Sequence, residues 1–471
     1  MKILLRFHIT IIITMLLDSV KLYEYQEKCL KWMLDRERSP EAPGGVLCLD
    51  MGLGKTLMTI AVMSTNPLKK TLIIVPTNIV AQWSSEFKKF TGIEPFVIDA
   101  TSSNKGIVTT DDLDANSIVL APISVFTAMK NDEDNVLLSY KFDRIVVDEA
   151  HIIRNKKTKS YKLISRIISD VKWLLTGTPV VKDEKNFTTL LNFIGIFQVS
   201  LSYAAKKYLY RVVKEDVFDL PTLTIQDLRS DFQSDLEKEV YEELLMEGRA
   251  VSKAYKAYSD AEGRMEMLKL LLRLRQCTTN INMIPIEDTD YFHEGTSTKL
   301  KMLENDIASS PMQKTIVFCH FHKEMTAIEN MLKSHGNRVV VLNGKKTADE
   351  RADAIDSFTN DPTTNFFVIQ IDAGGIGLNL QAATRVYINS VHWNGTSEIQ
   401  AIARSHRIGQ TKPVVVKRLI IDDSIDDHII RVQQNKLSVA ADILGDDRIV
   451  HSLKSHKKDS VFKSLVENVF K

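Results

Sequence analysis

The segment LDMGLGKT (49–56) places Gly52, Gly54, Lys55 and Thr56 directly behind a short apolar run, GVLCLD. Glycines let a backbone approach phosphate, free amides at a helix N-terminus bind the anion, a lysine reaches the outer phosphates, and a threonine hydroxyl can ligate magnesium. Leu49 stands where the strict pattern has its first glycine. A second apolar run, RIVVDEAH, ends in the adjacent carboxylates Asp148 and Glu149. Two acids at the end of a buried strand need a cation or donors. That assigns Asp148 to magnesium, held through water, and Glu149 to the water that attacks a γ-phosphate. LLTGTPV (174–180) adds the hydroxyls of Thr176 and Thr178 at another strand end, beside a turn shaped by Gly177 and Pro179. Far downstream, QAIARSHRIGQ (400–410) carries Gln400, Arg404 and Arg407 at spacings that predict one shared helical face. A solvated helix face is the alternative. An arginine brought from another domain accelerates phosphoryl transfer by on the order of a thousandfold, and here the phosphate loop supplies the anion.

The elements that must position these residues follow from patterning. Apolar, β-branched runs at 45–50, 71–76, 117–122, 144–149 and 172–177 alternate with helix-length segments, which predicts a parallel sheet covered on both faces. A second set, at 315–320, 338–344, 366–372, 384–389 and 414–421, predicts another. The fold class expected is therefore α/β, with two tandem parallel-sheet lobes. Between them, residues 197–295 change character, and 234–276 reads as long charged helices with an apolar stripe, a helical insertion. The expected organisation is an apolar extension at 1–20, a first lobe at 21–196, a helical linker region at 197–295, a second lobe at 296–442 and a basic tail at 443–471.

Composition bounds the rest. The chain has 471 residues, is 44% hydrophobic and 26% charged, and carries a net charge of +1, so no global basic field advertises nucleic acid and any such binding needs local patches. Cys29, Cys48, Cys277 and Cys319 are scattered singly, without a CxxC pair; buried thiols in a reducing compartment are expected, and a zinc finger is not. The apolar stretch 9–17 behind Lys2 and Arg6 has two readings, a targeting segment or an element covering the first lobe. It is too short to span a bilayer, and the second reading is preferred. The chain is expected to be intracellular, in nucleus or cytoplasm, with no membrane association.

In order and wording these motifs resemble the Snf2 family of helicase superfamily 2, whose members are ATP-driven translocases on double-stranded DNA. LYEYQ resembles its nucleotide-base motif, LIIVPTNIVAQWSSEFKKF (72–90) its segment behind the first strand pair, and VVDEAHIIRN its DEAH motif. VVKEDVFDLPTLT and LRLRQC are similar to its helical protrusions; KTIVFCHF, DAGGIGLNLQAATRVYI and ARSHRIGQ match its second lobe. An RNA helicase of the DEAD-box type would show an SAT-type third motif and RIGR, and neither is present. The resemblance implies two RecA-like lobes and a DNA-dependent ATPase using ATP and Mg2+. It implies a nucleotide set of Gln26, Asp50, Met51, Gly52, Leu53, Gly54, Lys55, Thr56, Gly375, Gly377 and Gln400, with Thr56 and Asp148 at the metal. Lys55, Asp148, Glu149, Arg404 and Arg407 are the catalytic expectation. Thr77, Ser124, Lys323, Asn379 and Trp393 fall in or beside the family's duplex-contacting segments, although Trp393 has core packing as its other reading. Nucleosomes or other DNA-bound proteins are the expected targets. Three departures are GTPVVK for the family's GTPIQN, SVHWNG for DPWWNP, and Arg211 beside Tyr210 for the usual arginine pair. A strand-separating helicase shares the same engine and stays open, and Val181 and Lys182 leave open a DNA-binding scaffold with an idle nucleotide site.

Overall fold

Runs of four or more consecutive apolar residues bounded by turns have one comfortable place in a protein, the interior of a sheet covered on both sides. In the structure, a computed structural model describing residues 16–17, 20–98, 108–128, 136–177, 184–258, 261–284, 297–371, 378–444 and 469–470, the apolar runs that begin at 45, 71, 117, 144, 172, 315, 338, 366, 384 and 414 each contribute a strand to one of two parallel sheets. The first contains β1 (Gly44–Leu49), β2 (Thr71–Val75), β3 (Phe96–Val97), β4 (Ile118–Pro122), β5 (Lys141–Val147), β6 (Ile168–Leu175) and β7 (Leu209–Val212). Their order is β3-β4-β2-β5-β6-β1-β7. The second contains β8 (Leu223–Ser230), β9 (Thr315–Cys319), β10 (Arg338–Leu342), β11 (Thr364–Gln370), β12 (Arg385–Ile388) and β13 (Val414–Ile421), in the order β10-β11-β9-β12-β13-β8. All paired strands in both are parallel. The chain divides into two compact units, with the boundary between Asp219 and Leu220.

Strand β9 shows why both faces must be covered. Ile316 and Phe318 join one buried cluster with Phe358, Ala401 and Ile402. Val317 and Cys319 point the other way, into a cluster with Leu303, Met325, Ile328 and Leu332. Alternate residues of a strand face opposite sides, so an uninterrupted apolar run needs helices on each. All four cysteines are buried and free, and burial pushes the thiols of Cys29 and Cys48 up to about 12.

The stretch from 197 to 295 is not helical throughout, which corrects the reading from charge pattern. The long helices are there, Asp235–Tyr258 and Ala261–Thr279, but β7 and β8 precede them and form an edge of each sheet. An edge strand is half solvated, so its polar alternate residues hide it in a sequence: in β8, Asp227 bonds Arg418 and Arg229 bonds Asp422 and Asp427. The apolar extension at the N-terminus and the basic tail lie almost wholly outside the described residues. Among the described residues no helix is long and apolar enough to cross a membrane.

One buried ionic cluster fixes the first unit's geometry. Arg144 of β5 donates from Nε and Nη2 to the two carboxylate oxygens of Glu37, at 2.7 and 2.6 Å, with both side chains fully buried. Glu37 ends the helix Glu24–Glu37 and also accepts from Trp173 Nε1 of β6 at 2.8 Å and Asn66 Nδ2 at 2.6 Å. Four elements are thereby tied to one carboxylate. Arg144→Ala leaves that carboxylate buried without its cation, and we expect it to destabilise the first unit by about 3–5 kcal/mol, measured as a lower urea midpoint. A midpoint within error of the parent protein would count against this assignment.

Candidate nucleotide site

In a parallel sheet every strand ends on the same edge, and ligands bind beyond those ends. β1 lies beside β6, and β6 beside β5. The segments that follow are the phosphate loop after β1, Gly177 after β6 and the acid pair after β5. Sequence separations of about a hundred residues thus collapse to neighbouring strand spacings.

Gly52 and Gly54 take φ values of 90° and 83°, the left-handed region that side chains avoid. Gly54 caps the helix Lys55–Thr65, which aims its first amides at the loop. Lys55 Nζ donates to the Leu49 carbonyl at 2.8 Å, so the ammonium is held on the loop's own backbone. A Cβ on Gly177 would stand 3.8 Å from that ammonium; glycine keeps the space beside it clear. Gln26, buried in the helix Glu24–Glu37, accepts from Tyr23 N at 3.0 Å and donates to Leu53 O at 3.3 Å. Tyr25 OH donates to the same carbonyl at 3.1 Å. Asp50 Oδ2 accepts from Lys214 N at 3.2 Å, and burial raises its carboxyl above the ordinary range. Met51 lies partly exposed with its Cγ 3.9 Å from the Cβ position of Gly177, and Thr56 follows Lys55 in the first helical turn.

Asp148 is 6% exposed. Its Oδ1 accepts from the Glu149 amide at 2.7 Å and its Oδ2 from the indole N–H of Trp83 at 2.8 Å. Burial is the main cause that raises its carboxyl well above the usual range; the Glu149 carboxylate adds to this, and Lys55 opposes it. Glu149 has a φ of 47°, a strained conformation for a residue with a Cβ, and its Oε2 lies 3.2 Å from His151 Nδ1. A buried carboxylate whose charge is disfavoured, next to a second carboxylate, is chemistry that a divalent cation completes. Among the described residues no group of three or more His, Cys, Asp or Glu could hold a metal. Magnesium suits such a site, because it keeps water and phosphate oxygens as most of its ligands; Asp148 and the Thr56 hydroxyl are the residues that would hold it.

In the second unit the expected shared helical face is not found. The helix carrying Gln400 spans Gly395–Ile402 and ends before Arg404 and Arg407. Arg404 N and Ser405 N close short turns on Ala401 O and Ile402 O, at 3.1 Å each, and the Ser405 hydroxyl also bonds Ile402 O. Gly409, at φ 96°, completes the reversal. Periodicity of three and four is shared by a helix and by successive tight turns, so spacing alone misleads here. Arg404 is buried, whereas Arg407 is half-buried. Gly375 and Gly377 lie outside the described residues, as does Thr178.

Of the residues expected to meet nucleic acid, Thr77 and Ser124 follow the adjacent strands β2 and β4, and Thr77 Oγ1 donates to Ser124 Oγ at 3.1 Å. Lys323 is exposed in the first turn of the helix His322–Ser334. Asn379 is exposed, its Oδ1 accepting from Gln381 N at 3.4 Å. Trp393 sits partly buried against an apolar cluster, with the Arg275 guanidinium 5.6 Å from its ring centre.

Four further residues hold the segments described above in place. Trp83 is one. Gln410 places its amide nitrogen 2.9, 3.3 and 3.2 Å from the carbonyls of Gln381, Ala383 and Ser405, and its oxygen accepts from the amides of Thr411 and Lys412. His406 Nε2 lies 2.8 Å from Pro221 O. Glu324 accepts from the amides of His320 and Phe321 and from Asn389 and Ser390. The signal for Gln410 was its polarity at the end of RIGQ; the partners of Glu324 are separated too far in sequence to be read.

Comparison with known proteins gives two family models: the SNF2-related domain over residues 25–200 and the helicase conserved C-terminal domain over 298–409. The chain is 27% identical to a "Probable global transactivator" of Orgyia pseudotsugata multicapsid polyhedrosis virus, covering 90% of this chain and 91% of that protein. It is 26% identical to the "SWI/SNF-related matrix-associated actin-dependent regulator of chromatin subfamily A member 1" of Mus musculus, covering 91% of this chain but 44% of the relative. An uncharacterized ATP-dependent helicase of Mycoplasma genitalium is 27% identical, over 94% of this chain and 44% of the relative. This chain therefore spans less than half the length of the latter two. A solved structure, the Sulfolobus solfataricus SWI2/SNF2 ATPase core in complex with dsDNA, is 25% identical over 92% of this chain and 95% of that one, with a TM-score of 0.41.

The raised carboxyl of Asp148 gives a test with a definite sign. Protonated at low pH, it cannot bind a cation, so in the presence of ADP the affinity for Mn2+ should rise about tenfold per pH unit up to a value above the ordinary ~3.9 of aspartate. Titration calorimetry across this range would read it, with Asp148→Asn removing the dependence. An affinity flat with pH would contradict the assignment.

Proposed function

The chain belongs to the Snf2 family of ATP-dependent, helicase-like ATPases, and from that membership we propose that it is a motor coupling ATP hydrolysis to movement along double-stranded DNA. The observation that carries the reading is the placing of two sites on one sheet edge. The phosphate loop and the acid pair follow β1 and β5, and the hydroxyls of Thr77 and Ser124 follow the adjoining strands β2 and β4. A track contact and a hydrolytic site built on neighbouring strand ends can influence one another, which a motor requires.

In this reading Gln26 recognises the adenine base, the loop amides and Lys55 hold the phosphates, and Glu149 orients the attacking water. Bound magnesium, held by Thr56 and Asp148, would neutralise phosphate charge. Arg404 and Arg407 supply the positive charge that stabilises the transition state, and Gly375, Gly377 and Gln400 complete the nucleotide surface of the second lobe. Duplex contacts go through Thr77, Ser124, Lys323 and Asn379, and Trp393 is a further candidate. Such groups grip phosphates without reading bases, as tracking along arbitrary sequence demands. In this reading the motor displaces or remodels DNA-bound proteins, nucleosomes among them, in nucleus or cytoplasm; the mention of chromatin in the name of a relative supports it.

ATP turnover measured in parallel with no nucleic acid, single-stranded DNA, duplex DNA and RNA tests this. Duplex DNA should stimulate most. Arg407→Ala should lower the stimulated rate by on the order of a thousandfold, and Lys55→Ala should remove function altogether. Equal rates in all four conditions would exclude the motor, unchanged function in Lys55→Ala would favour a scaffold, and release of a strand from a plain duplex would favour a helicase.

A further inference from the structure

Asp148 is attached twice to one short piece of chain. Its backbone amide donates to Ile74 O at 2.8 Å, extending the pairing of β5 with β2 by one residue. Its Oδ2 accepts from Trp83 Nε1 at 2.8 Å, and Trp83 is 1% exposed in the helix Val80–Thr91. Between those two anchors the chain leaves β2, makes the single turn Thr77–Ile79 and enters the helix. Thr77 thus sits, exposed, in the middle of a segment closed at both ends on the same aspartate.

We infer that Trp83 is a positioning residue that relays occupancy of the duplex contact at Thr77 to the metal-binding carboxylate of Asp148, so that DNA and magnesium-nucleotide bind cooperatively. The inference rests on the motor reading above and deepens it. Three observations support it. The turn at Thr77 is held lightly, by Ile79 N to Pro76 O at 3.1 Å with no side-chain cap at Pro76, and by the Thr77 hydroxyl to Ser124. A phosphate oxygen that accepts from the Thr77 hydroxyl competes with Ser124 Oγ for that one proton, so occupancy removes one of the bonds that hold the turn. The helix that follows is anchored by the buried Trp83 and Phe87, and a rigid helix carries a displacement at its start to the indole it bears. The indole nitrogen is moreover one of the two described donors to the carboxylate, so a displaced indole changes the direction in which Asp148 is held. Packing alone would need only a ring: a phenylalanine fills much of the slot but has no N–H.

The consequence is a linkage that can be measured without turnover, because coupling between two ligands is reciprocal. In the parent protein, Mg–ADP should tighten binding of a fluorescent DNA duplex by about fivefold or more, and duplex should lower the Mg2+ concentration for half-saturation with ADP by the same factor. Trp83→Phe should leave duplex affinity without nucleotide unchanged while the coupling falls below about twofold. Phe87→Leu is the control for packing: Phe87 is as deeply buried on the same helix, its ring centre 6.3 Å from that of Trp83, and it has no donor. It should lose stability yet keep the coupling. Retained coupling in Trp83→Phe overturns the inference, as does equal loss in Phe87→Leu. A parent protein that binds duplex with no effect of Mg–ADP overturns the inference alone, whereas one that binds no duplex overturns the motor reading with it.

Discussion

A carboxylate removed from water at the end of an apolar strand must be compensated, and the first lobe is arranged around that need. Asp148 has no arginine or lysine within hydrogen-bonding distance among its described partners; it has an indole N–H and a backbone amide. Those donors fix its direction without neutralising it. Its charge is further disfavoured by Glu149 and favoured by Lys55. A salt bridge would have satisfied the group more fully and closed it to a metal. Incomplete compensation is therefore what makes the residue useful, and it costs stability that the surroundings must supply.

A second buried carboxylate, bonded to the same strand, is treated in the opposite way. Glu37 and Arg144 form a bidentate pair with both side chains fully buried, and Trp173 and Asn66 occupy the remaining acceptor sites of the glutamate. A buried pair rarely adds stability compared with apolar residues, but it does fix register. Arg144 lies at the middle of β5 and Asp148 just past its end, so the cluster holds the body of the strand whose end presents the acids. Glu37 closes the helix that begins beside Gln26 and Tyr25, whose polar groups bond the phosphate loop at Leu53. One carboxylate is fully paired with a cation, and the other is held by neutral donors alone among the described residues.

Much of this was legible in the sequence because burial dictates it. Central strands such as β1 and β2, and the second half of β5, are continuous apolar runs, and the glycines, lysine and acids that carry the site follow at their ends. The phosphate loop and DEAH residues could thus be placed from pattern alone. The edge strands β7 and β8 could not, because half-solvated strands alternate in polarity and resemble charged helices. Nor could the turn that carries Arg404 and Arg407, where residues three apart look helical but close separate tight turns. Trp83 was present in a quoted segment, yet nothing in its neighbours shows that its N–H reaches a residue 65 positions away.

The arginine turn of the second lobe follows the same logic in reverse. An irregular segment exposes amides and carbonyls that a helix would have satisfied, and buried ones must find partners. Gln410 meets this need, since a carboxamide can both donate and accept: its nitrogen faces the carbonyls of Gln381, Ala383 and Ser405, while its oxygen takes the amides of Thr411 and Lys412. Gln381 reaches back to the Ile408 carbonyl, and His406 bonds Pro221. The turn is consequently fixed by side chains rather than by helical periodicity. A helix would have imposed one spacing on its two guanidinium groups; a turn held this way can bury Arg404 while leaving Arg407 half in solvent. A glutamate at position 410 could accept but not donate, and three carbonyls would lose their partner. That difference is a physical reason for the motif to end in glutamine.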